Sequence, residues 1–483
     1  MSLQGRIQQR NPEPDAPITR EQHAEPEQRT QAPTDPFADL KSRVHHDVIT
    51  RLGPRLFAAG GDEGRDASIE PRVLEAVEEA IALDKTPLTR QERAQVTREI
   101  ADDILGYGPL EPFLRDETVS EIMVNGPHSI WVERRGKLLR TDAGFVDDQH
   151  LLRIIDKIIS RIGRRIDEAS PMVDARLPDG SRVNAIIPPL AVTGPTLTIR
   201  KFRRDPLTME DLLRFGTLTP RAAQLLEACV RGKLNILISG GTGSGKTTTL
   251  NVLSGAIPEG ERIVTVEDAA ELQLRQEHVI TLETRPANIE GKGMVSIRDL
   301  VRNCLRMRPD RIIVGECRGA ETIDMLQAMN TGHDGSHTTI HANTPRDALS
   351  RVETLVLTGG VELPLKAIRE QIASAFDMVV QVSRLVDGTR RITHITEVLR
   401  MESDVVTMQD LFSAKPLEDG EEAQAGSNNR LLGAMRASGI KPQFLSKLGE
   451  NGVHLPPQFF QLEPDRAGAP GPARPTAFGR ASA

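Results

Sequence analysis

The run NILISGGTGSGKTTTL, Asn235–Leu250, constrains the fold of this 483-residue chain more than any other stretch. Continuous apolar residues give way to glycines, and the glycines end on Lys-Thr-Thr. The segment GGTGSGKT, Gly240–Thr247, has the form G-x-x-x-x-G-K-[ST]. It lies between an apolar strand pattern, NILIS, and a helical one, TTLNVLSGAI, which is the context in which such a loop cradles phosphates. Gly240, Gly243 and Gly245 let the loop turn its N–H groups inward, and the start of the helix adds partial positive charge. Lys246 is expected to reach the β- and γ-phosphates, with the Thr247 hydroxyl on Mg²⁺. The expected nucleotide-binding segment is Gly240, Gly241, Thr242, Gly243, Ser244, Gly245, Lys246, Thr247 and Thr248, with ATP and Mg²⁺ as ligands.

Phosphoryl transfer to water also needs an acid that orients the water and holds metal-bound water. RIIVGE, Arg311–Glu316, is an apolar strand that ends in a carboxylate, and Glu316 is the leading candidate for both tasks. RIVTVEDAAEL supplies Glu267, Asp268 and Glu271 at the end of another strand, where ligands of parallel sheets bind. TGHDGSHTTIHANT holds His333, His337 and His341 among glycines and threonines. Their spacing matches no zinc site, and contact with phosphate or with the acids is the better reading. TIRKFRRD brings Arg200, Lys201, Arg203 and Arg204 to the front of the P-loop segment, where a cation can close on the γ-phosphate. Arg306, Arg308, Arg311 and Arg318 flank Glu316 and can pair with the acids.

The remaining organisation follows from periodicity. Residues 1–66 read as a disordered, low-complexity region, although LKSRVHHDVITRLGPRLF within it is a short apolar segment. Residues 67–110 read as a helical domain, with PRVLEAVEEAIAL and LTRQERAQVTREIADDIL as its helices. Residues 111–206 read as a smaller mixed α/β domain with a hairpin around Arg135-Gly136 and an amphipathic helix ending near Ile162. Residues 207–400 alternate short apolar strands with helical segments, as in a largely parallel sheet covered on both faces. Residues 401–483 form a C-terminal extension that is expected to be disordered from about 464.

Composition narrows the function. The net charge is −7 and aromatic residues make up 3%, so no direct binding of nucleic acid is expected. Three cysteines without a CxxC pair, and no apolar run of eighteen residues, suit a cytoplasmic chain that meets a membrane through partners.

These motifs together resemble the type II/IV secretion system ATPase superfamily. LGYGPLEPFLRDETVSEIMVNGPHSIWVERRGKL, PMVDARLPDGSRVNAIIPP, RMRPDRIIVGECRGAE and TGHDGSHTTIHANTPRDALSR are similar to its CpaF-type branch, the tight-adherence (Flp) pilus assembly ATPases. The resemblance runs from about residue 100 to 400. It implies an α/β fold: a RecA-like P-loop NTPase domain after a smaller mixed α/β domain and a short N-terminal helical domain, with disordered termini. It further implies a homo-hexameric motor with ATP at lobe and subunit junctions, attached to an inner-membrane platform protein at the cytoplasmic face. By position, Glu271 is the acid-box glutamate and Glu316 the Walker B glutamate. His333 and His341 form the histidine pair, and Arg200 is the arginine offered by the N-terminal domain. His337 stands where the family pattern has an apolar residue, and its role is open, as is the choice between Glu271 and Glu316 as base. Two rivals stay alongside: a type IV secretion ATPase for conjugative DNA or protein transfer, and a nucleotide-sensing scaffold without turnover.

Overall fold

The computed structural model describes residues 36–58, 69–202, 206–285, 287, 292–414 and 435–462. Most of the residues expected to be disordered at the two termini lie outside that range, as do Arg203 and Arg204. The described chain divides into two compact units. One runs to Glu111 and includes Gly144–His150, and the other holds Pro112–Ala143 and everything from Leu151 on.

The first unit is a three-helix cluster of α1 (Ala38–Ala58), α2 (Ile69–Leu83) and α3 (Arg90–Leu105). Leu40, Val44 and Val48 recur every four residues on α1 and are buried with Val73, Val77 and Ile81 of α2 and Val96 and Ile100 of α3. Thr89 and Glu92 close a reciprocal capping box that starts α3. The helix α1 corrects the reading of residues 1–66 as a disordered, low-complexity region, and it contains the short apolar segment noted there. Its apolar stripe is three residues wide in a charged segment, and it becomes a stable face through α2 and α3, with Arg43 bound to Asp84 at 2.9 Å.

In the second unit, the six-stranded antiparallel sheet comprises β1 (Val119–Asn125), β2 (Ile130–Arg134), β3 (Lys137–Arg140), β4 (Met172–Arg176), β5 (Arg182–Ile186) and β6 (Thr196–Arg200). Its order is β3-β2-β1-β6-β5-β4. The expected hairpin turn holds: Arg135 and Gly136 both have positive φ, the geometry that matches the twist of two joined strands. The short helix α4 (Glu111–Arg115) precedes β1 in the chain, and α5 (Asp148–Ser160) follows β3. Leu151, Ile154, Ile155, Ile158 and Ile159 of α5 are buried, as its 3.6-residue period requires.

The nine-stranded sheet carries the P-loop. Its elements in chain order are α6 (Met209–Arg214), α7 (Pro220–Arg231), β7 (Ile236–Gly240), α8 (Lys246–Ser254), β8 (Ile263–Glu267), β9 (Val279–Glu283), α9 (Ile297–Cys304) and β10 (Arg311–Val314). They continue with α10 (Glu321–Asn330), β11 (His337–Ile340), α11 (Pro345–Thr358), α12 (Leu365–Ala375), β12 (Met378–Arg384), β13 (Arg390–Glu402), β14 (Val405–Ala414), β15 (Met435–Ala437) and α13 (Leu445–Glu450). The order is β15-β14-β13-β12-β7-β11-β10-β8-β9, parallel from β12 to β9 and antiparallel from β12 to β15. Ile236 and Ile238 point into one apolar layer and Leu237 into the other, so β7 is covered on both faces. The boundary expected at 400 falls inside β13. The antiparallel strands β13 and β14 continue the sheet across it, and β15 and α13 pack onto the first layer through Met435, Phe444 and Leu448.

Candidate functional site

The site is built at the carboxyl ends of three adjacent parallel strands, β7, β11 and β10. The chain leaves β7 at Gly240, where a Cβ would stand 2.4 Å from the Val382 carbonyl oxygen and 2.5 Å from Ser244 Oγ. Only glycine fits there. Gly243 and Gly245 have φ of +66° and +99°, the left-handed region that lets the loop arch over and enter α8. Lys246 opens α8 and is buried, its Nζ bonded to the Gly241 carbonyl at 3.0 Å and 3.3 Å from both ring nitrogens of His341. Burial lowers its pKa, and the nearby Arg200 and Arg318 push the same way against Glu316.

From Lys246 a polar chain crosses the strand ends. His341 follows β11, and its Nε2 lies 3.0 Å from Glu316 Oε1 at the end of β10. Glu316 Oε2 accepts from Arg318 Nη2 at 2.7 Å, and Arg318 Nη1 reaches Asp268 Oδ2 at 3.1 Å. Burial first, then Lys246, lowers the His341 pKa, so the ring is neutral around pH 7. The β7, β10 and β11 register therefore gathers Lys246, Glu316 and His341 from three separate motifs.

The acid box divides its labour. Glu267, the last residue of β8, is 3% exposed and accepts the Glu271 N–H at 2.9 Å and the Leu272 N–H at 3.2 Å. Gly315 leaves room for it, since a Cβ there would sit 2.9 Å from Glu267 Cγ. Burial pushes the Glu267 carboxyl up to about 7. Its partner Glu271 points to Arg182 of β5, whose Nη1 donates to Glu271 Oε1 at 3.1 Å. Arg200 pairs across the sheet with Arg182 and with Glu121, and its charge bears on Lys246. Arg176 of β4 adds a bond to Glu283 at 2.6 Å and one to the Ala270 carbonyl.

Two histidines behave differently from His341. His333 is engaged away from this chain, its Nδ1 lying 3.2 Å from the Ala328 carbonyl of α10. His337 is fully buried in β11, with no hydrogen-bond partner for either ring nitrogen among the described residues. Burial, then the Arg311 guanidinium, pushes its pKa down to about 3, so it sits in the sheet as a neutral ring. Lys201 turns the other way from Arg200, its Nζ donating to the Phe113 carbonyl at 3.1 Å.

Sequence reasoning missed Arg176, Arg182, Arg384 and Arg390. Arg182 and Arg176 lie in the PMVDARLPDGSRVNAIIPP stretch, where single cations among turn and strand residues carry no signal of their own. Arg384 and Arg390 carry no motif at all. The oxygen donors near the loop, the Thr247 hydroxyl and the Glu316 carboxylate, are of the hard kind that suits Mg²⁺. Among the described residues no group of three or more His, Cys, Asp or Glu is placed to hold a metal. That donor set fits Mg²⁺, which takes one or two protein oxygens and fills its shell with phosphate oxygens and water.

Residues 103–421 match the family described as Type II/IV secretion system protein. The chain is 37% identical over 309 residues to the type IV secretion system protein PtlH of Bordetella pertussis, covering 58% of this chain and 91% of that one. It is 34% identical over 293 residues to the conjugal transfer protein TrbB of Rhizobium radiobacter, covering 60% and 85%. Among solved structures it is similar to the VirB11 ATPase of the Brucella suis type IV secretion system, 30% identical over 59% of this chain and 94% of that one, with a TM-score of 0.33. No described helix is long and apolar enough to cross a membrane. The chain belongs to the type II/IV secretion system protein family.

Proposed function

We propose that this protein is an ATP-hydrolysing motor of the secretion machinery, working as a homo-hexamer at the cytoplasmic face and attached to an inner-membrane platform protein. The observation that carries the reading is the chain Lys246–His341–Glu316, which puts a P-loop lysine and a strand-end glutamate one imidazole apart. A phosphate-binding loop alone serves binding, whereas a glutamate held beside it serves cleavage.

In this reading the loop N–H groups and Lys246 hold the β- and γ-phosphates of ATP. Glu316 orients a water molecule whose oxygen attacks the γ-phosphorus as the bond to the β-phosphate oxygen breaks, giving ADP and phosphate. The water's proton passes to Glu316, whose Oε1 lies 3.0 Å from the neutral His341 ring, and leaves with the phosphate. Arg176 and Arg182 of the six-stranded sheet face the acid box, and Arg200, the cross-strand partner of Arg182, bears on Lys246, so that together they bring positive charge to the developing negative charge. Thr247 and Glu316 would hold Mg²⁺, which when bound neutralises charge on the phosphate oxygens. Movement of the six-stranded sheet against the P-loop sheet would then be the mechanical output.

The tight-adherence pilus is the favoured machine, on the resemblance of the ordered motifs between residues 100 and 400. A second reading, conjugative transfer of DNA or protein, is favoured by the names of the similar relatives. A deletion strain complemented with wild type or Glu316→Gln separates them. Surface pili restored by wild type alone support the pilus motor, and restored plasmid transfer without pili supports the conjugation motor.

A further inference from the structure

We propose that Glu133 and Arg390 are positioning residues that tie the phosphate loop to the six-stranded sheet, so that nucleotide on the loop and the seating of β2 reinforce each other. The proposal rests on the nucleotide reading above and adds two residues that this reading does not use.

The starting point is a broken alternation. Strand neighbours face opposite sides of a sheet, yet Val132 and Glu133 of β2 are both buried, Glu133 at 8% exposure. What covers Glu133 is a pair of guanidiniums from the β12–β13 hairpin. Arg390 Nη2 lies 3.2 Å from Glu133 Oε1, and Arg384 Nη1 lies 3.7 Å from Glu133 Oε2. These arginines are cross-strand partners, the last residue of β12 facing the first of β13. Like charges placed directly opposite destabilise a sheet, and Glu133 supplies the anion between them. Arg384 is held further by the Gly136 carbonyl in the β2–β3 turn, at 2.5 Å.

The same arginines touch the loop from outside. Arg390 Nε donates to the Gly243 carbonyl at 2.9 Å. A Cβ on Gly245 would stand 3.2 Å from Arg390 Cδ, and one on Gly243 would stand 3.2 Å from Arg384 Nη1. In a planar trans peptide the C=O and the following N–H point opposite ways. Holding the Gly243 carbonyl outward therefore holds the Ser244 N–H inward, 3.4 Å from the Gly241 carbonyl that also accepts from Lys246. Arg390 thus fixes the orientation of one peptide of the phosphate cradle, and Glu133 fixes Arg390. Any tightening of the loop on phosphate is felt at β2 through two bonds.

The test uses the full chain and fluorescently labelled ADP with Mg²⁺. Affinity is measured for wild type, Glu133→Gln, Arg390→Leu and the double variant, with hydrogen exchange followed with and without nucleotide. The isosteric Glu133→Gln keeps the fold readable if Arg390→Leu does not accumulate. Each single variant is expected to weaken binding about 10-fold, the worth of one charge-assisted bond. The double variant is expected to be no worse than the weaker single one, because both act on one chain of contacts. Nucleotide should slow exchange in 241–250 in every protein, but in 130–140 only when Glu133 and Arg390 are both present. Losses that multiply in the double variant, or a response of 130–140 that survives Arg390→Leu or Glu133→Gln, would overturn the proposal. Failure of wild type to bind labelled ADP at all would instead overturn the nucleotide reading beneath it.

Discussion

Nε2 of His341 lies 3.0 Å from Oε1 of Glu316, and the same imidazole is 3.3 Å from Nζ of Lys246. One neutral ring at the end of β11 thus separates a cation after β7 from an anion after β10, the strands on either side of it. The arrangement keeps Lys246 from pairing directly with Glu316.

Removing the lysine tests the first half of that arrangement. Lys246→Ala should weaken labelled ATP by about 10- to 100-fold, the range expected for losing charge-assisted bonds to phosphate. Isothermal titration against wild type measures it, and an unchanged affinity would remove Lys246 from the nucleotide site.

Glu267 gives a prediction in pH. Its folded pKa, about 7, is raised above the ordinary glutamate value of 4.5, mainly by burial. The folded state then binds a proton that the unfolded state has lost, so stability from this group is full below about 4.5 and is lost as pH rises through about 7. Glu267→Gln keeps an oxygen for the Glu271 and Leu272 N–H groups and removes the titration. Urea unfolding from pH 5 to 8 should show a flatter stability profile for the variant, and Glu267→Ala should lower turnover because the Glu271 loop loses its anchor.

His337 has the opposite sign. Its folded pKa, about 3, is below the ordinary 6.5, so the unfolded state binds the extra proton. The stability it supports is full above about 6.5 and is lost as pH falls toward 3. His337→Leu should remove about one proton from the acid-unfolding slope, read from the pH dependence of the unfolding midpoint. It should also spare ATP hydrolysis at pH 7.5, since His337 sits inside the sheet.

Arg311 is fully buried, its Nε bonded to Glu261 Oε2 at 2.5 Å and its Nη1 to the Gly335 carbonyl at 3.3 Å. Glu261→Ala leaves that guanidinium without its anion and should cost about 3–5 kcal/mol. Denaturant unfolding at pH 7 checks it. A loss below 1 kcal/mol would mean that water reaches Arg311 once the carboxylate is gone.

The phosphate loop was legible because its chemistry needs glycine at fixed positions, and that requirement is written in one local run. Glu316 and His341 were legible for the same reason, each ending a short apolar strand. The arginines were less so. Arg200 stood out within a basic cluster, but Arg182 and Arg384 are single cations on strands and Arg390 belongs to a bare Arg-Arg pair, and on sequence such cations read as a solvated edge. Glu271 lies 89 residues from Arg182 and Glu133 lies 257 from Arg390, so the pairing exists only once two sheets are built. The strands β13 to β15 were missed because the sheet turns antiparallel after β12, where the alternation of strand and helix stops. The helix α1 was missed because its three buried residues make a face only against α2 and α3.

In the proposed mechanism Glu316 orients the water that cleaves the nucleotide bound by Lys246. Steady-state ATP hydrolysis by the full chain, beside Glu316→Gln and with mass by light scattering, tests it most directly. Turnover is expected in wild type and a loss of about 100-fold or more in Glu316→Gln, with ATP binding and a hexamer-sized species retained. Equal turnover in the two proteins, or tight binding with none in either, would contradict it.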